Sequence, residues 1–111
     1  MKIITFNWPD SVPFDVQVEH IFIQGMLNRT ATSFFKYGPF RTSSSDGLKN
    51  ALERIRLYKK TGNTEGLIDA ANYLMKEFMS PRHKKAHFRS TPSSESPGRI
   101  LKNGMRTHGK D

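Results

Sequence analysis

Residues 46–79, DGLKNALERIRLYKKTGNTEGLIDAANYLMKEFM, decide the fold. They read as two helices joined by a tight break. Asp46 stands where a carboxylate accepts from the free amides of a first helical turn. Leu48, Ala51, Leu52, Ile55 and Tyr58 recur on one stripe, as in an amphipathic helix. Lys49, Glu53, Arg56 and Lys60 take the opposite face, linked at spacings of three and four. Lys59 and Lys60 fall at the negative end of the helix dipole, and Gly62 supplies a left-handed cap. A second helix begins at Asn63 or Thr64. Leu67, Ala71, Leu74, Met75 and Phe78 form its core stripe, and Pro81 ends it. So short a break predicts antiparallel packing.

Working outward, residues 28–45, NRTATSFFKYGPFRTSSS, read as a connection with an aromatic anchor. Phe34, Phe35, Tyr37 and Phe40 are too apolar for a free loop and are expected to pack over the hairpin. Gly38-Pro39 stops any helix from continuing. In residues 14–27, Phe14, Val18, Ile21, Phe22 and Met26 fall at helical spacing, whereas Val16, Val18, Ile21 and Ile23 also fit a slipped strand. The longer stripe favours a helix. MKIITFNW is β-branched and aromatic, with a short candidate strand at Lys2 to Phe6. The fold expected is mainly α, an N-terminal helix packed on an antiparallel helical hairpin, with that short strand and an irregular basic C-terminal tail. Residues 1–89 form the helical domain. Residues 90–111 form a basic, Ser/Pro/Gly-rich tail, largely flexible by composition.

At 111 residues the chain is one domain with a tail, and its hydrophobic share of 35% predicts a small core. Twelve aromatic residues offset this by burying large areas each. There is no cysteine, which removes disulfides, zinc–thiolate sites and thiol catalysis together. The N-terminus has no signal-peptide run, and nothing approaches the ~20 apolar residues of a membrane span. A cytoplasmic protein without a membrane partner is expected. The net charge is +8. Residues 1–81 carry ten Lys/Arg against eight Asp/Glu, and residues 82–111 carry eight against two. The basic character therefore sits at the C-terminal end, where it would attract polyanions.

Three constellations bear on function. Glu65, Asp69 and Asn72 share one face of the second hairpin helix with Lys76, on the side away from the core stripe. Two carboxylates and an amide at spacings of four and three can turn oxygens toward one hard cation such as Mg²⁺, with Glu65 and Asp69 its metal ligands. That ion could hold a nucleotide's phosphates. A solvated helix face is the plain alternative. Arg82, Lys84, Lys85, His87 and Arg89, beside His83 and Phe88, make a basic patch suited to phosphate, or a solvated turn. Phe34, Phe35, Tyr37 and Phe40 become a partner-binding patch if they stay exposed. There is no P-loop, no GxGxxG and no nucleophile elbow.

Five pieces carry a resemblance: SFFKYG (33–38), GLKNALER (47–54), YKKTGNTEGLIDAANY (58–73), PRHKKAHF (81–88) and ESPG (95–98). With Arg29 ahead of them, they resemble small uncharacterised proteins of bacteriophages and prophages, over roughly two thirds of the chain. A fainter similarity is to all-α, MazG-like nucleoside-triphosphate pyrophosphohydrolases and their nucleotide-modification-associated relatives. That likeness implies Glu65, Asp69 and Asn72 on a Mg²⁺-holding helix. It also calls for a second acidic pair on a partner helix, where this chain has only Asp15 and Glu19 at spacing four, or Glu53 alone. The implied function is a phage accessory protein of the bacterial host cytoplasm that binds a nucleotide or nucleic acid without catalysis. A Mg²⁺-dependent pyrophosphohydrolase is the first alternative. A protein inhibitor of a host enzyme or defence factor is the second, and self-association is left open.

Overall fold

The computed structural model of the chain describes residues 1–92. Among them are three helices and no strand: α1 (His20–Tyr37), α2 (Gly47–Thr61) and α3 (Glu65–Met79). The domain is mainly α. Helices α2 and α3 pair as an antiparallel hairpin, and α1 packs on α3 without touching α2. No helix among the described residues is long and apolar enough to cross a membrane.

The hairpin ends are built as their residue types dictate. The Asp46 carboxylate accepts from the Lys49 amide at 3.1 Å. Gly62 takes φ 76°, and its amide donates to the Tyr58 carbonyl at 2.7 Å. The Asn63 side chain accepts from the Glu65 amide at 3.0 Å and starts α3.

The α2–α3 seam is made of small residues. Gly47 and Gly66 are buried with Ala51 and Ala70. A Cβ added at Gly47 would stand 2.6 Å from the Tyr73 carbonyl oxygen, and one at Gly66 would stand 3.0 Å from that of Arg54. Glycine lets the two backbones approach this closely. This seam rotates both helices from the orientation that the apolar stripes suggest. Leu48, Leu52, Leu74 and Phe78 were expected in the core but are exposed, Phe78 at 73%. The reason is that α3 is contacted on two flanks, by α2 through its small residues and by α1 through its polar row. Of its apolar stripe, Leu67, Ala71 and Met75 are half-buried, and Leu74 and Phe78 face solvent.

Two further expectations change. Residues 2–6 form no strand. An isolated extended segment has no neighbour to take its backbone hydrogen bonds. The N-terminal helix begins six residues later than Phe14 and runs through most of the expected connection. Before it lies a turn in which the Val18 amide donates to the Phe14 carbonyl at 2.9 Å. Glu19 then caps α1 by accepting from the Ile21 amide at 3.1 Å. Thr30 and Thr32 lower helix propensity, which made residues 28–37 read as irregular. In the fold their hydroxyls donate to the Met26 and Asn28 carbonyls four residues back, at 2.8 and 3.0 Å. Gly38, at φ 79°, ends the helix ahead of Pro39. The tail expected at 90–111 lies outside the described residues beyond its first three.

Candidate functional site: a basic cleft between α1 and the hairpin

Glu65, Asp69, Asn72 and Lys76 do share one face of α3, but that face is turned toward α1. The expectation of a row opposite the core is corrected: Asn72 and Lys76 are buried, and Asp69 is half-buried. The cause is Arg29 on α1. Its Nη1 donates to Glu65 Oε2 at 2.6 Å. Its Nε donates to Asp69 Oδ1, and its Nη2 donates to Asp69 Oδ2 at 3.3 Å. The hydrogen bond to Asp69 raises the Arg29 pKa above its ordinary value. Desolvation opposes the rise, and the charges of Asp69 and Glu65 add to it. The acid row is therefore spanned by one guanidinium.

One turn further along α3, Asn72 Nδ2 donates to the Met26 carbonyl at 3.1 Å. That carbonyl can only accept, and it also receives the Thr30 hydroxyl. The amide nitrogen must face it, which fixes the orientation of the Asn72 side chain. Asn72 Oδ1 is then left buried with no donor. An unmatched buried acceptor is costly. Asn72 is only 7% exposed and lies on the wall of a cleft.

The cleft has a volume of about 600 Å³, within the range of small-ligand sites. Arg29 and Lys36, seven residues apart and so on one side of α1, supply two cations to it. Arg54 of α2 faces them from the hairpin. Asp69 is the one carboxylate in its lining, and Arg29 already holds it. Tyr37, Phe40 and Tyr73 provide aromatic surface. The Tyr73 ring meets Phe40 edge-on at 5.9 Å, and the Arg54 guanidinium lies 5.1 Å from its centre. Thr32 and Ser33 add hydroxyls.

This donor set suits an aromatic anion and does not suit a divalent metal. Among the described residues no group of three or more His, Asp or Glu comes together to hold one. A cation placed at Glu65 and Asp69 would meet the Arg29 charge.

The other candidates are partly dispersed. Of the aromatic four, Phe40 is half-buried in the cleft against Tyr73, while Phe34, Phe35 and Tyr37 are exposed, Phe35 at 86%. Tyr37 reaches the cleft mouth. Arg82, Lys84, Lys85, His87 and Arg89 lie in an exposed, non-helical segment after α3. Sequence reasoning passed over Lys36, Arg54 and Tyr73 as site residues, and it noted Arg29 without giving it a role. The signal for α1 was the i, i+7 spacing of Arg29 and Lys36, visible only once residues 28–37 are taken as helix. No family model, curated protein or solved structure matches the chain.

Proposed function

We propose that the chain is a phage-type accessory protein that binds a nucleotide, or one unit of a nucleic acid, in the α1–hairpin cleft without turning it over. The observation that carries this reading is the meeting of three cations and three aromatic rings around one cavity of nucleotide size. Lys36 and Arg54 attract phosphate. Tyr37, exposed at the mouth, offers a face on which a base can stack, and Tyr73 holds the Arg54 guanidinium over its ring. Asn72, held by the Met26 carbonyl, adds a polar side chain to the cleft wall. The absence of turnover follows from Asp69, which Arg29 holds as an ion-pair partner and so withholds from base or metal duty. A bacterial host cytoplasm is part of the same proposal.

A thermal-shift screen of nucleotides with and without Mg²⁺ tests it, because a ligand of the folded state raises the melting temperature. A nucleotide should raise it equally in both conditions, and Lys36→Ala with Arg54→Ala should abolish the shift. A shift seen only with Mg²⁺ would favour the pyrophosphohydrolase reading. No shift with any nucleotide would overturn the proposal. One observation favours a second reading, inhibition of a host protein. Phe34 and Phe35 stand exposed, edge to face at 5.9 Å, outside the cleft, and exposed aromatic patches mark protein partners.

A further inference from the structure

The cleft does not end with α1. Phe40, on its wall, opens the connection to α2, and that connection is tied to the segment after α3. The Ser80 hydroxyl donates to the Arg41 carbonyl at 2.5 Å. Arg41 Nη1 reaches the Met79 carbonyl at 3.5 Å. Arg82 Nη2 donates to the Ser44 carbonyl at 3.0 Å, and the Arg82 amide donates to Glu77 Oε2 at 2.9 Å. Two stretches some forty residues apart in sequence thereby share one pole of the bundle.

Both stretches are basic. Arg41 comes from the first, and Arg82, Lys84 and Lys85 from the second, all exposed. Neither 38–45 nor 78–92 contains an Asp or Glu. The nearest carboxylates, Asp46 and Glu77, each accept from a backbone amide. Lys36 sits in the last turn of α1 and in the cleft lining, five residues before Arg41 of this pole. Phe40 of the aromatic-lined cleft is thus followed in the chain by Arg41 of a cationic pole, in which Glu77 is the carboxylate in contact, through the Arg82 amide.

We propose that cleft and pole form one track for a single-stranded nucleic acid several nucleotides long. One base occupies the cleft, and the following phosphates run over Arg41, Arg82, Lys84 and Lys85. This rests on the nucleotide reading of the cleft. A lone mononucleotide would leave Lys84 and Lys85, which hold no side-chain hydrogen bond among the described residues, without an anionic partner. A duplex keeps its base faces stacked, so it cannot offer one to Tyr37, whereas a single strand can.

Fluorescence anisotropy of the full chain with labelled oligothymidylates of about two to about twelve nucleotides tests the track. Affinity should rise about tenfold or more with length and then level off. The double variant Lys84→Ala/Lys85→Ala, at exposed positions with no side-chain hydrogen bond of their own among the described residues, should weaken long strands about tenfold. It should leave the shortest unchanged and lower the salt slope by about 1.4, at about 0.7 per lost phosphate contact. Lys36→Ala should weaken every length. Circular dichroism would show the helices retained in both variants. Equal binding of a nucleoside monophosphate and a long strand would overturn the track and leave the nucleotide site standing. Binding of duplex as tightly as single strand would overturn the single-strand assignment. Binding of neither strand nor mononucleotide would overturn the track and the proposed function together.

Discussion

Helix α3 has two seams, and they are built oppositely. Against α2, Gly66 lies on the Arg54 carbonyl and Tyr58 while Gly47 lies on the backbone of Tyr73 and Glu77, with Ala51 and Ala70 buried between, so that backbone meets backbone. Against α1 it uses the ion pairs of Arg29 with Glu65 and Asp69, a side-chain amide and the Ile68 side chain beneath Gly25. The first seam is close-packed and has no slack. The second is polar, leaves Asn72 Oδ1 unmatched and has the cleft beside it. The hairpin is thus the scaffold, and α1 is the element that completes a binding site on it. A polar seam costs stability, and such costs gather where a protein binds something.

The tight seam should be the most sensitive part of the chain. Gly47→Ala puts a methyl carbon 2.6 Å from the Tyr73 carbonyl and 3.0 Å from the Glu77 nitrogen, both backbone atoms that cannot step aside. It should destabilise by about 3 kcal/mol in urea unfolding. A cost below about 1 kcal/mol would mean that the hairpin has slack after all, and the contrast between the seams would fail.

The next effect separates the two halves of one side chain. In Asn72→Asp, a carboxylate oxygen replaces the nitrogen that serves the Met26 carbonyl. Two acceptors then face each other in a buried site, at a cost of about 2 kcal/mol. Asn72→Leu also loses that hydrogen bond, but it removes the unmatched Oδ1 as well. The Met26 carbonyl keeps the Thr30 hydroxyl. The leucine variant should stay within about 1 kcal/mol of the parent and lose nucleotide binding. A leucine variant that binds normally would remove Asn72 from the site.

Smaller effects follow at the hairpin turn and at the ion pair. Gly62→Val forces a β-branched residue to φ 76° and should cost about 1–2 kcal/mol. Arg29→Gln should cost less, about 0.5–1 kcal/mol, because the arginine and Glu65 side chains are about half exposed and water screens them. The sign of its pH dependence follows from the raised Arg29 pKa. A cation whose pKa is raised on folding contributes fully below its unfolded value, and the contribution is lost only as pH climbs through the folded one. That window lies above the ordinary arginine value, so the stability difference between parent and variant should be flat from about pH 6 to about pH 10. A difference that vanishes within that range would point to another group as the source.

The hairpin was legible in the sequence because its signals are local. Asp46, Gly62 and Asn63 act on backbone groups within three or four residues. The grouping of Glu65, Asp69 and Asn72 was legible for the same reason, since helical spacing alone sets it. What the row faces was not legible, because Arg29 lies thirty-six and forty residues away in sequence. The apolar stripes misled for a physical reason too. Hydrophobic periodicity shows which face could be buried, whereas Gly47 and Gly66 decided which face was, by allowing an approach that larger side chains forbid. Glycines in the first turns of both hairpin helices were the available clue.

The smallest effect belongs to the third helical glycine, and it tests the loose seam directly. A Cβ at Gly25 would stand 2.8 Å from Ile68 Cδ1, nominally as close as the contacts that make Gly47 irreplaceable. Here, however, the neighbour is the far end of a flexible side chain. Turning the Ile68 side chain costs about 0.5–1.5 kcal/mol. Alanine in a helix interior returns about 0.5–1 kcal/mol over glycine. The two nearly cancel, so Gly25→Ala should leave the melting temperature within a degree or two of the parent. Its effect should fall on the cleft instead, because any outward shift of α1 moves Arg29 and Lys36 away from Arg54. Nucleotide affinity should drop while stability holds. A loss of about 2 kcal/mol or more would show that α1 is seated as rigidly as α2, and the division of the molecule into a fixed hairpin and a site-completing helix would have to be abandoned.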